Sequence, residues 1–122
     1  SQSNIIMSID KPLTAFFGPG ATQDATTITF AKADLVSTKT PPAFIGLLPQ
    51  AENSSESIIS ALLMKAAENQ DTSQDSQFFV FPPESSIVSV VSDGIQKPFD
   101  QYLFTVRMLI PRGQEYPNPN LI

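Results

Sequence analysis

Eleven prolines punctuate this chain of 122 residues, and their positions restrict its fold more than any other residue type. Proline has no amide donor and a fixed φ, so it stops helices and is confined to the edges, bulges and ends of strands. Lys11-Pro12 closes whatever the N-terminal residues begin. Pro41, Pro42 and Pro49, with Gly46, predict an extended loop over 37–50. That loop carries Phe44, Ile45, Leu47 and Leu48, so it is expected to pack onto something. Pro82-Pro83 separates two strands, and Pro98 marks a bulge or bend. Pro117 and Pro119 forbid helix or central strand in the tail, which predicts a Pro-rich C-terminal arm over 111–122.

One window escapes the prolines and reads as helix, 54–69. Asn53 is placed to cap it, with Glu56 three residues on. Ile58, Ile59, Leu62, Leu63 and Ala66 recur at helical spacing, and Ser57, Ser60, Lys65 and Glu68 fall on the opposite arc. The remaining patterns read as strands. Short ones are expected at 3–9, at 13–17 before the Gly18-Pro19-Gly20 turn, and at 26–30, half-buried by its alternation. Strands at 77–81 and 86–92 follow the helix. Asp93-Gly94 is a two-residue hairpin signal, since a type I′ turn needs positive φ at both positions. The strongest strand is 101–110, with Tyr102, Phe104, Val106, Met108 and Ile110 on one face and Leu103, Thr105, Arg107 and Leu109 on the other. Both faces are largely apolar, so this strand is either central or turned toward another subunit. Strands, one helix, then strands predict an α+β fold: an antiparallel β-rich sheet or small sandwich with one amphipathic helix packed on it. The length fits a single domain over 1–122.

The chain has no His, no Cys and no Trp. That excludes a disulfide framework, a thiolate nucleophile, a Ser-His-Asp triad and the usual zinc shell. Seven Lys and Arg stand against twelve Asp and Glu, a net charge of −5. The bases are dispersed, whereas nucleic-acid binding needs clustered cations; neither nucleic acid nor an anionic membrane is an expected partner. Only 16% of residues are charged, which suits lasting contact with neighbours because little charge must be desolvated. The longest apolar stretch, 58–64, falls far short of a membrane span. The N-terminus has neither a basic region nor a long apolar run, so synthesis in the cytoplasm without a secretory signal is expected.

No motif replaces the missing catalytic types. Ser8-Ile9-Asp10-Lys11 matches S-x-x-K, but at a strand end and without its companion elements. Asp71 and Asp75 lie four apart in a loop lacking the turn Gly and further oxygens of a calcium site, so a weak cation site is the lesser reading there. Gly18-Pro19-Gly20 is a turn, not a phosphate cradle. Asn53-Ser54-Ser55 is formally a glycosylation sequon, but helix capping accounts for it better. No catalytic residue, cofactor or metal is assigned.

By elimination, the leading expectation is a non-enzymatic structural subunit of a virion-type particle, such as a capsid decoration or cement, neck or tail protein. Its partners would be copies of itself or a larger protein assembly. The expected interface residues are Phe44, Leu47 and Leu48 in the loop, Leu103 and Leu109 on the last strand, and Tyr116, Pro117, Pro119, Leu121 and Ile122 in the arm. A small ligand- or peptide-binding module is the alternative, and an enzyme using carboxylates or Lys ranks last.

Overall fold

The computed structural model describes residues 10–70 and 76–122. The expected strand at 3–9 and the Asp71/Asp75 pair lie outside the described residues. The fold is α+β, with antiparallel sheets and one main helix.

Helix α1 (Leu13–Phe17) occupies the segment that alternation assigned to a strand. Five residues are too few for a period of two to exclude a single helical turn, and packing decides the outcome. Pro12 enters with φ −64°, and Gly18 ends the turn at φ 103°, its N–H donating to the Thr14 carbonyl. This turn sends Phe16 toward Phe78 and Phe17 toward Phe30, with ring centroids 6.0 and 5.3 Å apart. Gly18-Pro19-Gly20 then forms the expected turn, closed by Ala21 N–H to the Gly18 carbonyl at 3.1 Å.

Strands β1 (Thr22–Gln23) and β2 (Ile28–Thr29) pair antiparallel. The expected strand at 26–30 is thus only two residues long, and it is exposed rather than half-buried. The loop between them competes for its backbone groups: the Asp24 carboxylate accepts from the amides of Thr26 and Thr27 at 2.9 and 2.8 Å. A 3₁₀ turn, Lys32–Asp34, delivers Leu35 to the interior, where it is fully buried. The loop over 37–50 contains neither helix nor strand, as its prolines require. Its C-terminal end is fastened to the segment that precedes the loop, by Leu47 N–H to the Leu35 carbonyl and by Lys32 Nζ to the Gln50 carbonyl.

Helix α2 (Ser55–Glu68) begins one residue later than expected, because Ser54 is the cap: its Oγ accepts the Ser57 amide at 3.1 Å. Asn53 instead uses both ends of its amide on the loop, accepting from Gln50 N–H and donating to the Leu48 carbonyl. Ala61 and Ala66 are buried and Ile58, Leu62 and Leu63 half-buried, but Ile59 is exposed. Lys65, expected on the solvent arc, is only 2% exposed. Helix α2 is therefore covered on two sides, by α1 and β3 (Phe78–Val80) on one and by 35–38 on the other.

The last third departs most from expectation. Strand β3 pairs with β6 (Val106–Met108), while β4 (Glu84–Ser92) pairs with β5 (Ile95–Leu103). The expected continuous strand at 101–110 is therefore two strands in two sheets. Val80 pairs with Val106 and Glu84 with Leu103, so three residues (81–83) on one side oppose two (104–105) on the other. One extra residue shifts the register and bends the ribbon. It falls at Pro82-Pro83, where no amide donor could have continued the ladder. Pro98 causes no break: it pairs with Ser89 inside β5. Asp93 and Gly94 take φ 54° and 74°, the expected type I′ turn. Among the described residues the buried apolar core is small, namely Leu35, Ala61, Ala66 and Val80.

Candidate functional site

The charged groups that reach the interior hold the fold together. Lys65 Nζ donates to the Val36 carbonyl at 2.9 Å. One turn on, Glu68 Oε1 accepts from the Thr38 amide and hydroxyl at 2.7 and 2.8 Å. Burial alone would raise the Glu68 carboxyl, but hydrogen bonds from Ser37 and Thr38 and the Lys65 charge outweigh it and hold it below its ordinary value. Both groups are spent on one backbone segment, which makes them a latch between α2 and the 35–38 stretch. Arg107 lies half-buried with its guanidinium 5.8 Å from the Phe79 ring and 5.7 Å from the Phe81 ring, a cation–π arrangement on the outer face of β3 and β6. Its planar group lies beside the two rings, whose centroids are 4.7 Å apart, and reaches the Ser76 carbonyl at 3.4 Å. Among the described residues no group of three His, Cys, Asp or Glu side chains converges.

Two features remain that could engage something else. The first is an apolar cleft of about 520 Å³ between α1, α2 and β3. Phe16, Phe17, Leu62 and Phe78 form its walls, Ile122 lies at its edge, and Asp10, Lys11 and Gln70 supply the polar groups. The S-x-x-K match therefore reaches this cleft only through Asp10 and Lys11, Ser8 being outside the described residues.

The second is the β4–β5 hairpin. Nearly every residue of both strands is exposed, on both faces. Ile87 is 77% and Val91 66% exposed on one face; Ile95 is 61% and Leu103 56% exposed on the other. Tyr102 and Phe99 add exposed rings. Among the described residues no third strand joins the pair. A nine-residue, two-stranded ribbon with no covered face has little to hold it in water.

The expected interface residues fall into three groups. Leu48, Leu103, Leu109, Tyr116, Pro117 and Pro119 are exposed. Phe44 and Leu47 are half-buried in the fastened loop. Leu121 and Ile122 are half-buried against the chain's own body, where Gln77 Nε2 donates to the Leu121 carbonyl at 2.8 Å. The structure does not gather them into one patch; it adds Tyr102, named above only as part of a strand face, and Ile87, Val91 and Ile95, which no sequence argument singled out as contact residues. A count outward from Asp93-Gly94 would have found them, because it fixes the register of both arms.

Comparison with protein families, with characterised proteins and with solved structures returns no match.

Proposed function

We propose that this chain is a non-enzymatic assembly subunit that works by burying apolar surface against other protein chains, as a capsid decoration, cement, neck or tail component of a virion-type particle does. The exposed hairpin carries this reading. The accessible surface of 9310 Å² compares with about 6,400 Å² for a compact monomer of this mass. Granting the fourteen undescribed residues the full surface of an unfolded chain still leaves the rest roughly 1,200 Å² above a compact domain of its own mass. A specific interface takes about 800 Å² from each partner, so the surplus is of the right order to be buried by association. Ile45, Leu48 and Tyr116, all strongly exposed, would extend such a contact beyond the hairpin. Protein surfaces are the proposed partners, since the dispersed bases and net charge of −5 disfavour nucleic acid and anionic lipid. The test is native mass together with thermal unfolding across protein concentrations. Association raises both mass and Tm with concentration; constancy of both, with no protein partner recovered, counts against the reading.

The cleft favours a second reading, a small ligand- or peptide-binding module. Its volume lies within the ~300–1,000 Å³ usual for ligand sites, and its apolar walls with a few polar groups suit an amphipathic ligand. Saturable binding of an apolar fluorescent probe, lost in Leu62→Glu, with the chain monomeric throughout, would favour it over assembly.

A further inference from the structure

The two edges of the β4–β5 hairpin are not equivalent. In an antiparallel ladder, hydrogen-bonded and non-hydrogen-bonded pairs alternate. Counting from the closing pair Ser92–Ile95, the pairs 91–96, 89–98, 87–100 and 85–102 are the non-bonded ones. At these positions the backbone groups point away from the partner strand. Pro98 therefore sits where β5 would offer an outward amide, and it removes that donor from the middle of the edge. Lys97 and Asp100 flank it. Among the described residues the β4 edge is unguarded. Ser85, Ile87, Ser89 and Val91 direct their amides and carbonyls outward, and no proline or charged residue lies between Glu84 and Asp93.

The open edge also reads the same in both directions. Residues 86–92 are Ser-Ile-Val-Ser-Val-Val-Ser, symmetric in chemistry about Ser89. An antiparallel strand added to β4 from a second copy, with the two-fold axis at Ser89, sets Ser89 opposite Ser89. It also sets Val88 opposite Val90, Ile87 opposite Val91 and Ser86 opposite Ser92. Every apolar side chain meets an apolar one and every hydroxyl a hydroxyl, on both faces. The register agrees with the backbone, because Ser89, Ile87 and Val91 are the residues whose amides are free. A two-fold contact needs a surface complementary to itself, and this strand supplies it.

We infer that β4 pairs edge to edge with β4 of a second copy, joining two hairpins into a four-stranded antiparallel sheet with its two-fold axis at Ser89. The inference rests on the assembly reading and names its partner. About six new backbone hydrogen bonds would form across the axis, along with the side-chain pairs above. At the two ends of the seven-residue match Glu84 and Asp93 approach each other, a modest repulsion that salt screens.

The absence of cysteine makes cross-linking a clean test. In Ser89→Cys the two thiols lie directly opposite each other, at a Cα separation of about 5.5 Å that a disulfide spans. Mild oxidation should convert the chain to a covalent dimer. In Ser86→Cys the two thiols lie on opposite sides of the axis, six residues apart along the ladder, and no dimer should form. The Ser86→Cys/Ser92→Cys double variant restores it. Ser89→Pro mirrors Pro98 on the opposite strand, leaves the β4–β5 bonds in place and should weaken native dimerisation at least about 100-fold. Ser89→Lys, which sets like charges opposite each other, is a second disruptive variant should the proline unfold the hairpin. Equal cross-linking of the Ser89 and Ser86 variants, or a wild-type chain monomeric by native mass, overturns the inference. An oligomer in which neither variant cross-links overturns the β4 contact while leaving the assembly reading standing.

Discussion

Leu35 is the best place to test how the body is held together. Its side chain is fully buried. Its backbone cannot retreat, because its carbonyl accepts the Leu47 amide and it follows directly on a 3₁₀ turn. Leu35→Ala removes three carbons, about 2.4 kcal/mol at ~0.8 kcal/mol per buried methylene. The cavity adds to this where surroundings relax only partly, and fully buried leucines elsewhere lose 2.7–5.0 kcal/mol. The expectation is a loss of about 3–4 kcal/mol, a large share of the ~5–15 kcal/mol a domain possesses. Ile45, 92% exposed in the neighbouring loop, is the control, and Ile45→Ala should cost under about 0.5 kcal/mol. The assay is urea unfolding followed by circular dichroism at one fixed protein concentration, since association would otherwise shift the midpoint. Leu35→Ala should lower the midpoint at unchanged slope. A variant no less stable than Ile45→Ala would refute the packing argument and place the main core elsewhere.

Acid should loosen the chain at two identifiable points. The Asp24 carboxyl is held down at about 2, from an ordinary 3.8, by the amides of Thr26 and Thr27 and then their hydroxyls. Its folded value lies below its unfolded one, so its support for the β1–β2 loop is complete above 3.8 and is lost as pH falls through about 2. Glu68 has the same sign, and its latch on Thr38 weakens only as pH falls below its ordinary 4.5. Carboxyl chemical shifts followed against pH should report both, and a midpoint at or above the ordinary value for either would contradict its hydrogen bonds. Gly94→Ala should cost about 1 kcal/mol for its left-handed backbone alone, because an added Cβ meets open space. Gly18→Ala should cost more in the same unfolding assay, since its Cβ would also run into Asp34. Arg107→Ala should cost about 1 kcal/mol, and Arg107→Lys should recover only part of it, because an ammonium lacks the delocalised planar group that a guanidinium presents to aromatic rings.

The sequence carried the punctuation of this fold better than its pairing. The loop at 37–50, the Asp93-Gly94 turn and the main helix were legible because each depends on local chemistry: fixed φ, positive φ, and a five-residue apolar stripe. Lys65 was misplaced because the stripe defines only the most apolar face of α2. A second neighbour, the 35–38 segment, covers the flank and gives the ammonium a carbonyl. The small residue Ala61, buried one turn before Lys65, leaves room on that flank. Continuity across 101–110 was misread because alternation persists through a bulge. Only the partner strand, with its Pro82-Pro83 pair, shows that the register has changed. The expected contact residues were chosen for apolarity and nearness to prolines. Those on the hairpin became visible once Asp93-Gly94 was used as a ruler for both arms.

Pro98 has a consequence for stoichiometry. A ribbon with two receptive edges can add neighbours without end, which is how cross-β fibrils grow. This ribbon has one receptive edge and one that a missing amide has sealed. After a single addition at β4, every edge left facing outward is a β5 edge, and growth stops. A Pro98→Val substitution would unseal it. The product to look for is then not a stronger pair but an open-ended polymer, seen as turbidity and thioflavin fluorescence where the parent chain stays clear.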